Sequence, residues 1–148
     1  MVMAASAGSD LTGGCHCGSL KLGMRLSREP GSYAPRACDC DFCVKHSAAY
    51  ISDPAGALVI RMADASKLAR YRQGSEQAEF LLCSGCGVLL GVVYETGGRR
   101  YGAANVRAFE GGKPFGAAQA ASPKQLSPAE KTARWQSVWF PHVNIVGG

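Results

Sequence analysis

The chain has 148 residues, of which 47% are hydrophobic and 18% charged, and its formal net charge is +5. This length and composition predict one globular domain and argue against disorder. No stretch approaches the ~18 consecutive apolar residues that span a bilayer, and residues 1–14 have neither a basic start nor an apolar run, so neither a membrane anchor nor a signal peptide is expected.

The charge gives no support to nucleic-acid binding. If the seven thiols were ionised around two Zn²⁺ ions, seven negative and four positive charges would be added and the net charge would become +2. Nucleic-acid binders usually carry a clustered basic face. Without export the cysteines stay reduced, and clustered reduced cysteines indicate metal. We therefore expect a cytoplasmic metalloprotein that binds neither nucleic acid nor membranes.

The first third of the chain contains two of the three cysteine groups. Residues 1–12 are expected to form a flexible N-terminus. Glycines flank Cys15-His16-Cys17, and glycine permits the tight turn that a metal site requires. Apolar and other residues alternate over positions 20–26, which predicts a half-buried strand. Residues 27–36 contain Pro30, Gly31 and Pro35 and read as a loop that leads to Cys38-Asp39-Cys40-Asp41-Phe42-Cys43.

The middle of the chain predicts further short strands. Residues 48–52 and 57–61 are two strands separated by a turn at 53–56. Residues 64–73 favour a helix, but a strand beginning at position 68 fits equally well. Residues 77–82 and 88–94 form a hairpin whose tip is Cys83-Ser84-Gly85-Cys86-Gly87, and another strand follows at 99–106. The sequence therefore predicts a mainly β domain over residues 13–110.

The last segment, residues 111–148, is predicted to be an arm followed by a helix. Ser127-Pro128-Ala129-Glu130 has the capping residue, the first-turn proline and the capping-box glutamate of a helix start. Trp135, Val138 and Trp139 fall on one face of this helix, which ends before Pro141. This face is expected to pack on the domain or on a second subunit, so a homodimer is one possibility.

The seven cysteines divide into one complete metal site and one incomplete site. Zinc in structural sites takes four ligands, and a Cys-x-x-Cys-Gly hairpin needs two partners from another segment. We assign Cys15, Cys17, Cys83 and Cys86 to a structural zinc, which would crosslink distant segments. Cys38, Cys40 and Cys43 then hold a second zinc with one open position, where a thiol or water would have a lowered pKa.

Several residues near the cysteines allow other interpretations. His46 could close the second site as Cys₃His, which would make both zincs structural. Lys45 could steady an anionic ligand at the second zinc or simply face solvent. Cys83 and Cys86 could form a redox pair, although the other cysteines favour metal. A larger group of basic residues is interpreted as soluble surface rather than as substrate sites: Arg70, Arg72, Arg99 and Arg100.

The cysteine pattern resembles a known family. Gly14-Cys15-His16-Cys17-Gly18, Cys38-x-Cys40-x-x-Cys43 and Cys83-x-x-Cys86-Gly87, in this order, resemble the glutathione-dependent formaldehyde-activating family, also called the centromere protein V family. The resemblance spans roughly residues 13–109. It implies a zinc-binding β-tent fold, similar to that of methionine sulfoxide reductase B, and the same division of the cysteines between a structural and a catalytic zinc. It also implies a carbon–sulfur lyase that joins glutathione to formaldehyde.

Two hypotheses follow for the function. The first is a zinc-dependent carbon–sulfur lyase that handles adducts of a thiol, glutathione or similar, with a small aldehyde, with Cys38, Cys40 and Cys43 as the catalytic metal site and Lys45 as a further candidate. The second is a non-catalytic, zinc-stapled binding module in which His46 or a backbone group closes the second site and Trp135 and Trp139 bind a partner. The two differ in whether a ligand thiol reaches the second metal.

Overall fold

In the computed structural model, which describes residues 9–109 and 115–147, eleven strands form two sheets. In chain order the elements are β1 (Ser9–Gly14), β2 (Leu20–Leu26), β3 (Arg36–Cys38), α1 (Asp41–Lys45), β4 (Tyr50–Ile51), β5 (Ala57–Met62), β6 (Leu68–Tyr71), β7 (Glu79–Cys83), β8 (Leu89–Thr96), β9 (Arg99–Asn105), β10 (Gln119–Ala121), α2 (Pro128–Val138) and β11 (Val143–Gly147). The prediction of a mainly β fold with a C-terminal helix is confirmed.

The smaller sheet has four strands in the order β1-β2-β5-β11. β2 pairs antiparallel with both β1 and β5, and β11 adds to the far side of β5 in parallel. Along β2, burial alternates strictly, and its four apolar side chains face inward while the residues between them are more exposed. The period-two pattern in the sequence is therefore the pattern of one buried sheet face.

The larger sheet has seven strands in the order β10-β3-β4-β9-β8-β7-β6. β6 to β9 form an antiparallel meander, and a register shift between Leu81 and Leu82 marks an irregularity where β7 pairs with β8. The edge next to the second cysteine group is built differently. There β10 pairs in parallel with β3, so that Ala121 lies opposite Cys38. A segment late in the chain thus holds β3 in place.

The apolar core is divided by the larger sheet. One cluster of buried side chains lies between the two sheets and includes Leu22, Ile60, Leu81 and Val93. A second cluster, on the opposite face of the larger sheet, includes Tyr50, Phe80, Val92 and Trp139. Burying one large apolar side chain contributes roughly 1.5–3 kcal/mol, so both faces contribute to stability. Cys83 belongs to the first cluster and Cys43 to the second.

Helix α2 covers the second face. Ser127 caps it by accepting from the Glu130 N–H, and the Glu130 carboxylate accepts from the Ser127 N–H, which completes the predicted capping box. Trp135 and Trp139 stack with ring centroids 4.9 Å apart, and Trp135 also contacts Tyr94. The predicted apolar helix face therefore packs on this chain's own sheet. Within the part of the chain that the structure describes, neither α1 nor α2 is long and apolar enough to cross a membrane.

Some elements differ from the sequence predictions. Residues 9–12 were expected to belong to a flexible N-terminus, but they lie in β1, so the prediction is wrong for them; residues 1–8 lie outside the described part. The ambiguous stretch 64–73 forms a short 3₁₀ turn, Ala65–Lys67, followed by β6. Residues 119–121 of the predicted arm form β10, because backbone pairing with β3 places this segment in the sheet. Residues 110–114 lie outside the described part.

Candidate metal centres

The first cysteine group joins the two sheets. Cys15 and Cys17 lie in the turn between β1 and β2, whereas Cys83 ends β7 and Cys86 lies in the turn that leads to β8. The four sulfur atoms lie within 4.8 Å of one another. Cys17 Sγ is 3.7 Å from Cys15 Sγ and 3.5 Å from Cys83 Sγ. The structure therefore brings together the four cysteines that the sequence assigned to one site.

These distances match a tetrahedral zinc site. A Zn–S bond of about 2.3 Å in tetrahedral geometry places neighbouring sulfurs about 3.8 Å apart. Backbone N–H groups support the sulfurs: Leu20 donates to Cys15 and Gly85 donates to Cys83, each at 3.3 Å. The donor set and its spacing are consistent with zinc.

Glycine is required next to two of these ligands. Gly18, which follows Cys17, has a φ of 85°, and Gly87, which follows Cys86, has a φ of 83°. Side-chain-bearing residues rarely adopt this left-handed conformation. Each of the two ligand pairs is thus followed by a turn that depends on glycine, which the sequence predicted for the turn at Cys15 and Cys17.

The second cysteine group lies at one edge of the larger sheet. Cys38 ends β3, Cys40 is the N-cap of α1, and Cys43 lies within α1. Their three sulfur atoms also lie within 4.8 Å of one another. The Cys43 backbone N–H donates to Cys40 Sγ at 3.4 Å, so the short helix itself sets the spacing of two sulfurs. This cluster is a second group that could hold a metal ion.

Tyr50 on β4 contacts the three-cysteine cluster through its hydroxyl group. Its hydroxyl lies 3.1 Å from Cys43 Sγ, and both side chains are buried. Without metal, a hydrogen bond from the Cys43 thiol lowers the pKa of Cys38 to about 6, and the same bond raises the pKa of Cys43. Burial raises the pKa of Tyr50, which keeps its hydroxyl protonated and able to donate. The three thiols and the tyrosine therefore act as one hydrogen-bonded group.

No fourth side-chain ligand joins the second cluster among residues 9–109 and 115–147. His46, the alternative fourth ligand, ends α1 and packs its ring against Phe42, with ring centroids 4.7 Å apart. Asp39 is turned to Ser122, whose hydroxyl donates to it at 2.6 Å. The residues outside the described part, 1–8, 110–114 and 148, include neither cysteine nor histidine. The cluster therefore offers three sulfur ligands and an open side.

That open side faces a cavity of about 470 Å³. All three sulfur-bearing residues line it, together with the Tyr50 and Phe80 side chains on the sheet. α2 contributes Trp135 and Trp139 to the lining, and the segment around β10 contributes further lining residues. Ligand pockets in proteins commonly have volumes of roughly 300–1,000 Å³. The cavity can therefore hold a ligand much larger than a metal-bound water.

Sequence reasoning identified the metal ligands but not the other residues of the cavity. Lys45, a further candidate from the sequence, is exposed on α1 and is not among the cavity residues. Of the four arginines interpreted as surface, Arg70 and Arg72 pair with Glu79 and Arg100 pairs with Glu95. The basic side chains that do line the cavity are Arg36, Lys124, Lys131 and Arg134. No local motif marks them, because three separate segments contribute them.

Comparison with known proteins gives a fold relative. No family model matches the sequence, and no curated protein matches it significantly. A crystal structure of a Rhodobacter sphaeroides protein from a structural genomics programme is similar, with a TM-score of 0.50 and 22% sequence identity. The alignment covers 92% of this chain and 100% of that chain. At this identity the similarity concerns the fold alone.

Proposed function

We propose that the chain is a zinc-dependent carbon–sulfur lyase of the glutathione-dependent formaldehyde-activating type, acting on glutathione or a similar thiol and a small aldehyde. One observation supports this most directly: three cysteine sulfurs without a fourth side-chain ligand among the described residues open into a cavity large enough for an organic thiol. Structural zinc sites are closed by four protein ligands, whereas catalytic sites keep three and an open position. The cysteine pattern and its resemblance to this family add to the proposal.

The reaction needs no oxidant or reductant. The thiol sulfur forms a bond to the carbonyl carbon, the carbonyl π electrons move to oxygen, and the proton lost by the thiol ends on that oxygen. Zn²⁺ at the three cysteines would lower the pKa of a thiol that enters the open position. The reverse reaction releases the same thiol and aldehyde.

The side chains around the cluster have supporting roles in this proposal. The Tyr50 hydroxyl, 3.1 Å from Cys43 Sγ, fixes the position of one ligand sulfur. Gln73 Nε2 lies 3.8 Å from Cys40 Sγ and approaches the cluster from the loop after β6. Trp135 and Trp139 line the same cavity as the cysteines, and their apolar rings would limit the access of water. A drier site strengthens the electrostatic interactions that favour an ionised thiol.

Metal analysis and metal spectroscopy together test the proposal. We expect two zinc ions per chain in the purified protein. After Co²⁺ replaces the zinc, glutathione should change the absorption of only one of the two metals, and Cys40→Ser should abolish that change. NMR should then show S-hydroxymethylglutathione forming from glutathione and formaldehyde faster than in buffer. One metal ion per chain, or two that do not respond to thiols, would contradict the proposal.

The non-catalytic alternative requires a closed second metal site and an available tryptophan face, and the contacts of both features give it less support. It requires a closed second site, but the His46 ring packs against Phe42. It also requires a tryptophan face that is available to a partner. Trp139 is buried, and Trp135 is half-buried between Tyr94, Trp139 and the cavity. We therefore propose a small-molecule thiol and an aldehyde as the partners of this site.

A further inference from the structure

The wall of the cavity carries four positive charges and no carboxylate. Its basic residues are Arg36 on β3, Lys124 in the turn before α2, and Lys131 and Arg134 on α2. Within the described ranges, none of the four forms an ion pair with a carboxylate. Several other arginines of the chain do form such pairs: Arg25, Arg70, Arg72 and Arg100. The cavity wall therefore holds four cations that have no carboxylate partner within the described ranges.

Arg36 is the most constrained of the four. Its Nη2 donates to the Ser52 hydroxyl at 2.7 Å, and that hydroxyl donates to the Val138 carbonyl at the end of α2. This is the single hydrogen bond of the Arg36 side chain to residues that the structure describes, so most of its five N–H donors remain available. The Arg36 side chain is half-buried and lines the same cavity as the Arg134 side chain. A half-buried cation beside another cation is costly unless an anion joins them.

The cysteine cluster alone does not balance this charge. Three thiolates around one Zn²⁺ carry a net charge of −1, whereas the four side chains carry +4. The cavity therefore keeps a surplus of three positive charges before a ligand enters. The negative charge of a ligand thiolate would balance one of these three positive charges and leave two unbalanced. Anionic groups elsewhere on the ligand are the natural partners of the remaining charge.

We propose that Arg36, Lys124, Lys131 and Arg134 form an anion-binding subsite that selects thiols carrying carboxylates, with Arg36 and Arg134 as the main contacts. The subsite rests on the proposed function, because it takes the thiol end of the ligand to be at the cysteine cluster. The four cations come from three separate segments of the wall, which suits carboxylates at more than one position along a ligand. Guanidinium groups hold planar carboxylates through paired hydrogen bonds.

Three glutathione derivatives separate the contributions. Glutathione has a thiol and two carboxylates, its diethyl ester keeps the thiol but loses both carboxylates, and S-methylglutathione keeps the carboxylates but has no free thiol. Calorimetry on the zinc-loaded protein should give an at least tenfold higher Kd for the ester than for glutathione. Arg36→Gln and Arg134→Gln should each weaken glutathione about tenfold, the loss of one charge-assisted contact, and leave ester binding unchanged.

Arg99→Gln is the matched control. It removes the same charge from an exposed arginine outside the cavity and should leave all three affinities unchanged. Arg134 is itself exposed, so its variant should fold even if Arg36→Gln, which breaks the Ser52 contact, does not. Thermal melting of each variant checks the fold. Equal binding of glutathione and its ester by the unmodified protein, or identical behaviour of Arg134→Gln and Arg99→Gln, would overturn the subsite.

The Co²⁺ spectrum separates this result from the proposed function. If glutathione changes the spectrum but the carboxylates and the arginines do not affect binding, the lyase proposal stands and the subsite is refuted. If glutathione leaves the spectrum unchanged while S-methylglutathione binds in an Arg134-dependent way, the subsite stands and the thiol chemistry is refuted. If neither compound binds, the subsite is refuted as well.

Discussion

The two cysteine clusters should differ sharply in their effect on stability, and a matched pair of substitutions tests this. Cys86→Ser removes a ligand from the four-cysteine cluster, and Cys40→Ser removes one from the three-cysteine cluster. Both side chains are half-buried, so the cost of burying a hydroxyl is similar. Serine is also a good N-cap, so Cys40→Ser preserves the capping of α1. The comparison therefore isolates the loss of metal crosslinking.

The magnitudes follow from the chain segments that each cluster closes. Cys17 and Cys83 are 66 positions apart. A crosslink over a loop of that length lowers the entropy of the unfolded chain, which raises the free energy of unfolding by about 4 kcal/mol at 25 °C. The second cluster lies within residues 38–43, and the same relation gives about 2 kcal/mol. For a chain of this size 1 kcal/mol corresponds to roughly 2–4 °C in Tm. We expect losses of roughly 8–16 °C for Cys86→Ser and roughly 4–8 °C for Cys40→Ser.

Thermal melting followed by far-ultraviolet circular dichroism, with metal content measured on the same samples, provides the test. Each variant should contain one zinc fewer than the unmodified protein, and the larger loss in Tm should belong to Cys86→Ser. Equal losses, or a larger loss for Cys40→Ser with the same metal content, would refute the argument from loop closure. Such a result would mean that the three-cysteine cluster contributes to the fold as much as the crosslink between the sheets does.

Three further substitutions test single contacts that stabilise the fold. Burial raises the pKa of Asp53, but hydrogen bonds from Tyr33 and Ser27 outweigh burial, so the pKa of Asp53 is lowered in the folded protein. The ionised carboxylate therefore stabilises the fold fully above the pKa of the unfolded chain, near 3.9, and this stabilisation is lost as the pH falls below that value. Asp53→Asn should therefore cost about 2–3 kcal/mol in urea unfolding at pH 6, and a difference that does not narrow towards pH 3.5 would argue against this charge effect. Trp139→Ala should lower the free energy of unfolding by about 3–5 kcal/mol in the same assay, whereas a loss below about 1 kcal/mol would contradict its burial under the cavity. Ser127→Ala should cost about 1 kcal/mol through the lost cap of α2, and no change in urea midpoint would show that the cap is dispensable.

The sequence predicted those features whose signals are local. Alternating burial in β2 and the capping box of α2 are properties of neighbouring residues, and the structure has both. The grouping of the cysteines could also be predicted, because the coordination number of zinc restricts how seven thiols can be shared. No local pattern in the sequence predicts the pairing of β10 with β3. Its small residues have no strand pattern, and their partner lies more than eighty positions away.

The cavity depended on the same non-local pairing. Arg36 lies in a short strand within a stretch that reads as a loop, and Arg134 lies next to Trp135 on a helix whose tryptophans gave the only clear pattern. The two side chains line one cavity only because α2 packs on a face of the larger sheet, to which β3 belongs. A pattern of single residues cannot reveal such a meeting. Arg70, Arg72 and Arg100 are equally basic in the sequence and are paired with glutamates.

The larger sheet separates the part of the molecule that sets the fold from the part that would select a ligand. Cys83 belongs to the core between the two sheets, where the four-cysteine cluster joins their ends. Cys43 and the cavity lie on the other face, and much of the cavity wall comes from the segment around β10 and from α2. Changes in that wall can alter the ligand without disturbing the inner core. A fold match at 22% identity therefore says little about the ligand, because ligand choice depends on the cavity side chains rather than on the two sheets.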